Sequence, residues 1–383
     1  MSVKNCDLAI LGGGLAGGLL AMALAKRQPD VRLLLIEEAE TFGGDHVWSF
    51  FANDIPDDAK WLVDPLICYD WNEYSVRFPK LKRTLGSRYH SILSDHFDTV
   101  IREKIPADQY LTNASVVSHD ETSVELADGT RIEAAGVIDA RGGGNVDALT
   151  CGWQKFTGQL LECEEPHGLE HPIVMDATVE QRDGYRFVYC LPFSPTEVFV
   201  EDTYYSDGSK LDPRILRQRI AQYADEQGWK VKNVLREEKG VLPVVFKGDY
   251  KRFRKDNENG VALAGSRAGL FHCLTSYSLP DAVRFAMHIS ALDTLDSASL
   301  ARASSDFAAK HWRQGWYYRL LGKFLFIGAE PDQRYGVFQR FYGLSEKLIE
   351  RFYAGQSTRY DKARILTGEP PMPISRAIKA LFS

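Results

Sequence analysis

The run Gly12-Gly13-Gly14-Leu15-Ala16-Gly17 spaces its glycines as G-x-G-x-x-G, and Glu37 stands 20 residues past the last of them. This pattern suits a dinucleotide. Gly12 permits a tight turn, Gly14 lets backbone N–H groups approach a pyrophosphate, and Gly17 lets a helix pack closely on a strand. An acid at Glu37 can hydrogen-bond ribose hydroxyls and would repel a 2′-phosphate. A second constellation is the pair Glu201-Asp202, set among Phe199, Tyr204 and Tyr205. Desolvation in such surroundings would keep a carboxyl group protonated well above the roughly 4.3 of free Glu and let it serve as an acid; the alternative is an acid solvated on an edge strand or paired with an arginine.

The glycines need a strand before them and a helix after them. Asp7–Leu11 is a short apolar run, Leu19–Ala25 is apolar over a helical length, and Val31–Ile36 is a second apolar run bounded by Asp30 and Glu37. Together they spell a βαβ unit. The uncharged stretch Leu8–Ala25 imitates a secretion signal, but Gly12, Gly13, Gly14, Gly17 and Gly18 fit the nucleotide turn better. No signal peptide or membrane span is therefore assigned. Ser115–Leu126 alternates with period two before the turn Asp128-Gly129, and Arg131–Ile138 continues as a strand into Asp139-Ala140-Arg141-Gly142. Tyr185–Leu191 and Glu197–Tyr205 read as paired strands around Ser194-Pro195. Along the second, alternation puts Phe199, Glu201, Thr203 and Tyr205 on one face and Val198, Val200, Asp202 and Tyr204 on the other. Both faces are largely apolar, so periodicity does not choose between the two acids.

A nicotinamide enzyme usually continues as an unbroken series of βα units. Here the pattern stops at Gly43-Gly44-Asp45-His46 and returns only with the short strand Val261–Ala264 before Gly265. Such a late return is typical of FAD proteins, with Ala268-Gly269 giving the backbone access to a ribityl chain or flavin ring. The expected fold is α/β, with a Rossmann-type FAD-binding domain, a β-sheet substrate domain and a helical C-terminal region. The FAD-binding domain is expected to be discontinuous (1–50, 88–150 and 240–296), with the substrate domain at 51–87 and 151–239 and the helical region at 297–383. With 44% hydrophobic and 26% charged residues the 383-residue chain is expected to fold rather than stay disordered. Its net charge of −6 argues against a nucleic-acid partner. Six cysteines without C-x-x-C spacing suggest scattered thiols in a reducing cytoplasm and no metal site.

Over nearly its whole length the chain resembles bacterial lycopene β-cyclases. The resemblance is carried by Gly43-Gly44-Asp45-His46-Val47-Trp48-Ser49, Asp139-Ala140-Arg141-Gly142, Pro172–Thr178, Tyr185–Tyr189, Glu201-Asp202-Thr203, Arg236–Pro243, Arg267–His272 and Tyr277-Ser278-Leu279-Pro280. It implies an architecture similar to flavin hydroxylases, though Ser266 stands where their second FAD fingerprint has Asp. It further implies a reduced, unconsumed FAD with NAD(P)H as electron donor. The implied substrate is lycopene or a related ψ-ended carotenoid, closed to γ-carotene and then β-carotene without net redox. The motif selects Glu201 as the catalytic acid. His46 and Trp48 are candidates to line the flavin site, with packing as the alternative for the tryptophan. Asp139 and Arg141 are candidates to contact the cofactor or simply to pair with each other. His272, close to the second glycine segment, is a candidate to line the site or else a satisfied structural histidine, and Asp176 and Glu238 are supporting candidates.

Lycopene is a bilayer lipid, so a peripheral membrane contact is expected. Residues 311–353 interleave aromatics with Arg313, Arg319, Lys323, Arg334, Arg340, Lys347 and Arg351 against four acids. That segment suits docking on anionic lipid, or else an aromatic core with a basic face. The rival functions on this scaffold are an FAD-dependent hydroxylase, a prenyl-chain reductase and a non-enzymatic prenyl-lipid carrier.

Overall fold

A computed structural model describes residues 3–368 and 373–382. Strand Val3–Leu11 lies inside a parallel core between Leu33–Ile36 and Arg131–Asp139. Its residues Leu8 to Leu11 are fully buried, as expected of a strand covered on both faces. The sheet runs Tyr110–Leu111, Leu33–Ile36, Val3–Leu11, Arg131–Asp139, Ser123–Leu126, Val116–His119, and Ala262–Leu263 adds in parallel to Arg131–Asp139. Helix Leu15–Arg27 packs on it together with helices Ser94–Lys104 and Leu279–Ile289. The stretch Ser115–Leu126, which alternates like one strand, is two. Asp120 accepts hydrogen bonds from the backbone N–H groups of Thr122 and Ser123 and turns the chain between them. Alternation carries through so short a turn, which is why the pattern hides it.

A second seven-stranded sheet runs Val231–Gly248, Leu149–Cys163, Glu197–Ser206, Tyr185–Pro192, Ile173–Asp176, Tyr74–Phe78, Leu81–Leu85. Strand Val231–Gly248 runs unbroken through residue 240, where the sequence pattern placed a domain boundary. One face of this sheet packs through Val188, Val198 and Val200 on Ile220 and Tyr223 of helix Pro213–Glu226. The other carries Phe187, Phe199 and Tyr205 into a core shared with Tyr317, Phe338 and Tyr342. Both faces of the Glu201 strand are thus covered, which explains its ambiguous periodicity. A small sheet of Val47–Phe51, Tyr89–Leu93 and Tyr69–Trp71 completes the strand layout.

From Ser297 the described chain is mostly helical, as expected. The aromatic–basic interleaving of 311–353 is largely internal. Tyr317, Tyr318, Phe338, Phe341, Tyr342, Phe352 and Tyr353 are buried. Arg334 is fully buried, pairs with Asp207 at 2.6 Å and donates to the Tyr205 carbonyl. Arg351 is bound to Asp361, Arg340 donates to the Ile365 carbonyl, and Arg319 stacks 3.8 Å over Trp312. Trp316 is the aromatic of this segment that stands out to solvent, 55% exposed. No helix among the described residues is long and apolar enough to cross a membrane.

Candidate active site

One cavity of about 740 Å³ is lined at one end by the glycine turn and at the other by the second sheet. At the turn, Gly12 has φ +95°, and a Cβ there would lie 2.9 Å from the Arg141 backbone. A Cβ on Gly17 would lie 1.9 Å from the Gly12 carbonyl oxygen, so helix and strand meet there backbone to backbone. A Cβ on Gly14 would meet nothing within 4 Å. Gly14 precedes helix Leu15–Arg27 without a capping side chain, which leaves the first N–H groups of the helix available to an anion. Glu37 accepts from the Gly13 N–H at 2.7 Å and the Ala39 N–H at 2.9 Å while still lining the cavity. Open space over Gly14, a free helix start and an anchored acid fit a dinucleotide.

The remaining candidates divide into two layers. His46, Trp48, Arg141 and Gly265 line the cavity. Asp139 lies fully buried beneath Arg141, which it binds at 2.8 Å, and it also accepts from Asn259 at 2.9 Å. Burial alone would raise its carboxyl, but the hydrogen bonds and charge of Arg141, with Arg267 nearby, hold it below its ordinary value. Gly17, Ala268 and Gly269 do not line the cavity; Gly269 (φ +72°) ends the short turn Gly265–Ala268 and packs on Phe253. His272 is also off the cavity. It receives the N–H groups of Leu274 and Thr275, packs against Tyr318 and Phe352, and burial pushes it down to about 4. Asp176 faces away too, accepting from Thr178 and from the Tyr223 hydroxyl.

At the sheet end the strand register sets side chains in rows. Tyr189 pairs with Glu201, Glu201 with Gly158, and Gly158 with Glu238. The next row is Phe187, Thr203, Phe156 and Gly240. Tyr189, Glu201, Glu238, Phe187, Phe156 and Gly240 all line the cavity, with Tyr89, Tyr205 and Tyr353 beside them. The Phe156 ring occupies the space a side chain would take at Gly240, and the Phe199 ring does the same at Gly158. The two acids that periodicity left open face opposite ways. Asp202 is fully buried on the far side, bound to Arg186 and to the Tyr204 hydroxyl at 2.7 Å each. Glu201 enters the cavity, where its Oε1 accepts the Thr203 hydroxyl. Burial raises the Glu201 carboxyl above the usual range, and the charge of Asp202 adds to this against the Thr203 hydrogen bond. Glu238 is raised likewise, by burial and then by the charge of Glu201, although its Oε2 accepts the Val47 N–H at 2.8 Å.

The chemistry available here is that of a protonated carboxyl group in an aromatic-walled, largely apolar space that adjoins a dinucleotide turn. The sequence patterns passed over Phe156 and Gly158, and over Tyr89, whose hydroxyl lies 2.9 Å from that of Tyr189. Isolated glycines inside strands, here Gly158 and Gly240, were the available signal of close side-chain approach.

Residues 7–379 match the family model described as lycopene cyclase protein. The lycopene β-cyclase of Pantoea ananas is 45% identical over 377 residues, 98% of each chain. Among solved structures, a geranylgeranyl bacteriochlorophyll reductase-like protein from Thermoplasma acidophilum superposes with a TM-score of 0.65 at 12% identity, covering 100% of this chain and 99% of the other. The p-nitrophenol 4-monooxygenase PnpA of Pseudomonas putida gives 0.60 at 14% identity, covering 94% and 100%. At such identities the last two establish the fold, the α/β architecture with its sheets and helical C-terminal region.

Proposed function

The chain belongs to the lycopene cyclase family, and from that premise we propose that it closes the ψ-ends of lycopene to β-rings, giving γ-carotene and then β-carotene with no net redox. The observation that carries this is the Glu201 carboxyl, buried in an aromatic cavity that also reaches the nucleotide turn. Protonated Glu201 gives its proton to the terminal alkene. The neighbouring double bond then attacks the tertiary cation, and loss of a ring proton sets the β double bond. Phe156, Phe187, Tyr189 and Tyr205 line the space in which that cation forms, and their ring faces stabilise it.

The cofactor proposed is FAD, held in its reduced state with NAD(P)H as electron donor. Gly12, Gly14, Glu37, His46, Arg141, Gly265 and Ser266 would hold it, with Gly17, Asp139, Ala268 and Gly269 shaping that surface from behind. Reduced flavin supplies negative charge near the developing cation. The scattered free cysteines suit the cytoplasm, and because the substrate is a lipid we propose a peripheral membrane contact there. Exposed Trp316 and Tyr360, with Lys362 beside the Trp316 ring, suit that contact, as do Leu381 and Phe382.

The likeness to a reductase-like protein and a monooxygenase keeps a redox alternative in play. The test is an anaerobic incubation of the purified protein with FAD, dithionite and lycopene in liposomes, resolved by chromatography. γ- and β-Carotene with the flavin still reduced are expected. Saturated polyene with oxidised flavin would instead support the reductase alternative.

A further inference from the structure

Ring closure needs a base as well as an acid, and the sheet presents a second carboxyl to the same space. Glu201 and Glu238 stand at one register level on the two strands that flank Leu149–Cys163, with Gly158 between them. Their backbones are two strand spacings apart, about 10 Å, within reach of a bound ring from both sides. Both side chains are buried and both line the cavity. The other carboxyls lining it, Glu37 and Glu38, belong to the nucleotide end. Asp176 and Asp202 are turned away and occupied by partners of their own.

We propose that Glu238 removes the ring proton, so that Glu201 and Glu238 work as one acid and one base on either side of Gly158; this rests on the cyclase function proposed above. Two buried carboxyls so placed do not both ionise readily, and the pair holds one proton. In the arrangement that reacts it sits on Glu201. Burial and the charge of Glu201 raise the Glu238 carboxyl, with Asp45 adding to them, while a main-chain N–H from Val47 and the field of Arg236 act the other way and favour its anion. Glu201 receives only the Thr203 hydroxyl and feels the charge of Asp202. In the reaction the O–H bond of Glu201 breaks as a C–H bond forms at the terminal alkene carbon. The next double bond supplies the pair for the ring-closing C–C bond. Glu238 then takes a proton from the ring carbon beside the new cation, and that C–H pair becomes the β double bond. No electrons are gained or lost, and the proton returns from Glu238 to Glu201 through solvent between turnovers.

The test uses the full chain with dithionite-reduced FAD and lycopene liposomes in D₂O. It compares wild type, Glu201→Gln, Glu238→Gln and Glu238→Asp. Glu238→Gln is expected to keep the wild-type flavin spectrum and to form β-rings about 100-fold more slowly or worse. It still places solvent deuterium in the recovered polyene, or in rings whose double bond lies elsewhere. Glu238→Asp restores part of the β-ring rate, and Glu201→Gln shows neither rings nor deuterium. In the pH profile Glu238→Gln loses the acid limb and keeps the alkaline one. The groups facing the pair are Asp45, His46 and Arg236 on the Glu238 side and Thr203, Tyr89 and Tyr189 on the Glu201 side, with Asp202 acting only through its charge from the opposite face of the strand. β-Rings from Glu238→Gln within about threefold of wild type overturn the proposal, as does joint loss of rings and deuterium uptake that Glu238→Asp fails to rescue. Should Glu238→Gln not bind FAD, Glu238→Asp decides: slower β-rings with unchanged flavin binding support the base, and an unchanged rate overturns it. Absence of rings from wild type would instead defeat the cyclase function, and normal rings from Glu201→Gln would defeat its acid.

Discussion

Replacing Glu201 by Gln should abolish cyclisation and at the same time stabilise the protein in alkali. The two effects have one cause. In the folded chain burial raises the Glu201 carboxyl above its unfolded value of roughly 4.3. Between those two values the folded state holds a proton that the unfolded state has released, so stability falls as pH rises through that window. Below roughly pH 4 both states are protonated and the loss vanishes. Each unit of elevation corresponds to about 1.4 kcal/mol. An unfolding entropy of about 2.1 cal/mol/K per residue, over 383 residues, gives about 0.8 kcal/mol/K, hence about 2 °C in Tm per unit. Gln keeps the shape and can still accept the Thr203 hydroxyl, but it never ionises. The assay is thermal unfolding of wild type and Glu201→Gln from pH 4 to pH 9, beside β-ring formation at neutral pH. The variant's advantage should be nil at pH 4, grow to several degrees by pH 9, and accompany a loss of activity of at least about 100-fold. A Tm difference that does not change with pH would refute the buried-acid reasoning, and retained activity would refute the role.

The neighbouring acid behaves oppositely: Asp202→Asn leaves Arg186 buried without its partner, and chemical denaturation should show a loss of about 3–5 kcal/mol. Gly17→Ala forces a Cβ to within 1.9 Å of the Gly12 carbonyl oxygen, so flavin titration should show FAD affinity falling at least tenfold; unchanged affinity would remove the close helix–strand contact from the account. Trp316→Glu, on an exposed position, should reduce co-sedimentation with anionic liposomes without changing Tm by more than about 1 °C, and undiminished binding would move the membrane contact elsewhere.

Local features of the site were legible in the sequence. The glycine spacing and Glu37 lie within one βαβ unit, and the structure brings them together at one end of the cavity. The strand alternation correctly put Glu201 and Asp202 on opposite faces, but the choice of face depended on what covers each side, which is a tertiary fact. Other features were illegible for the same reason. The partnership of Glu201 with Glu238 is created by sheet order, which brings strands Glu197–Ser206 and Val231–Gly248 to the two sides of Leu149–Cys163. The aromatic residues of 311–353 look like a lipid surface when counted along the chain. They become an interior wall once Arg334, Arg340 and Arg351 are satisfied by Asp207, the Ile365 carbonyl and Asp361. Ala268 and Gly269 sit in the expected glycine segment, yet Gly265 and Ser266 are the ones that reach the cavity.

The central claim is that this cavity performs acid–base ring closure without consuming electrons. The direct measurement is to reduce the bound flavin once with stoichiometric dithionite, remove the excess, add lycopene anaerobically, and count β-rings per flavin while following the flavin spectrum. Many rings per flavin with the spectrum still reduced is the predicted result. At most one product per flavin, formed as the flavin reoxidises, would contradict it.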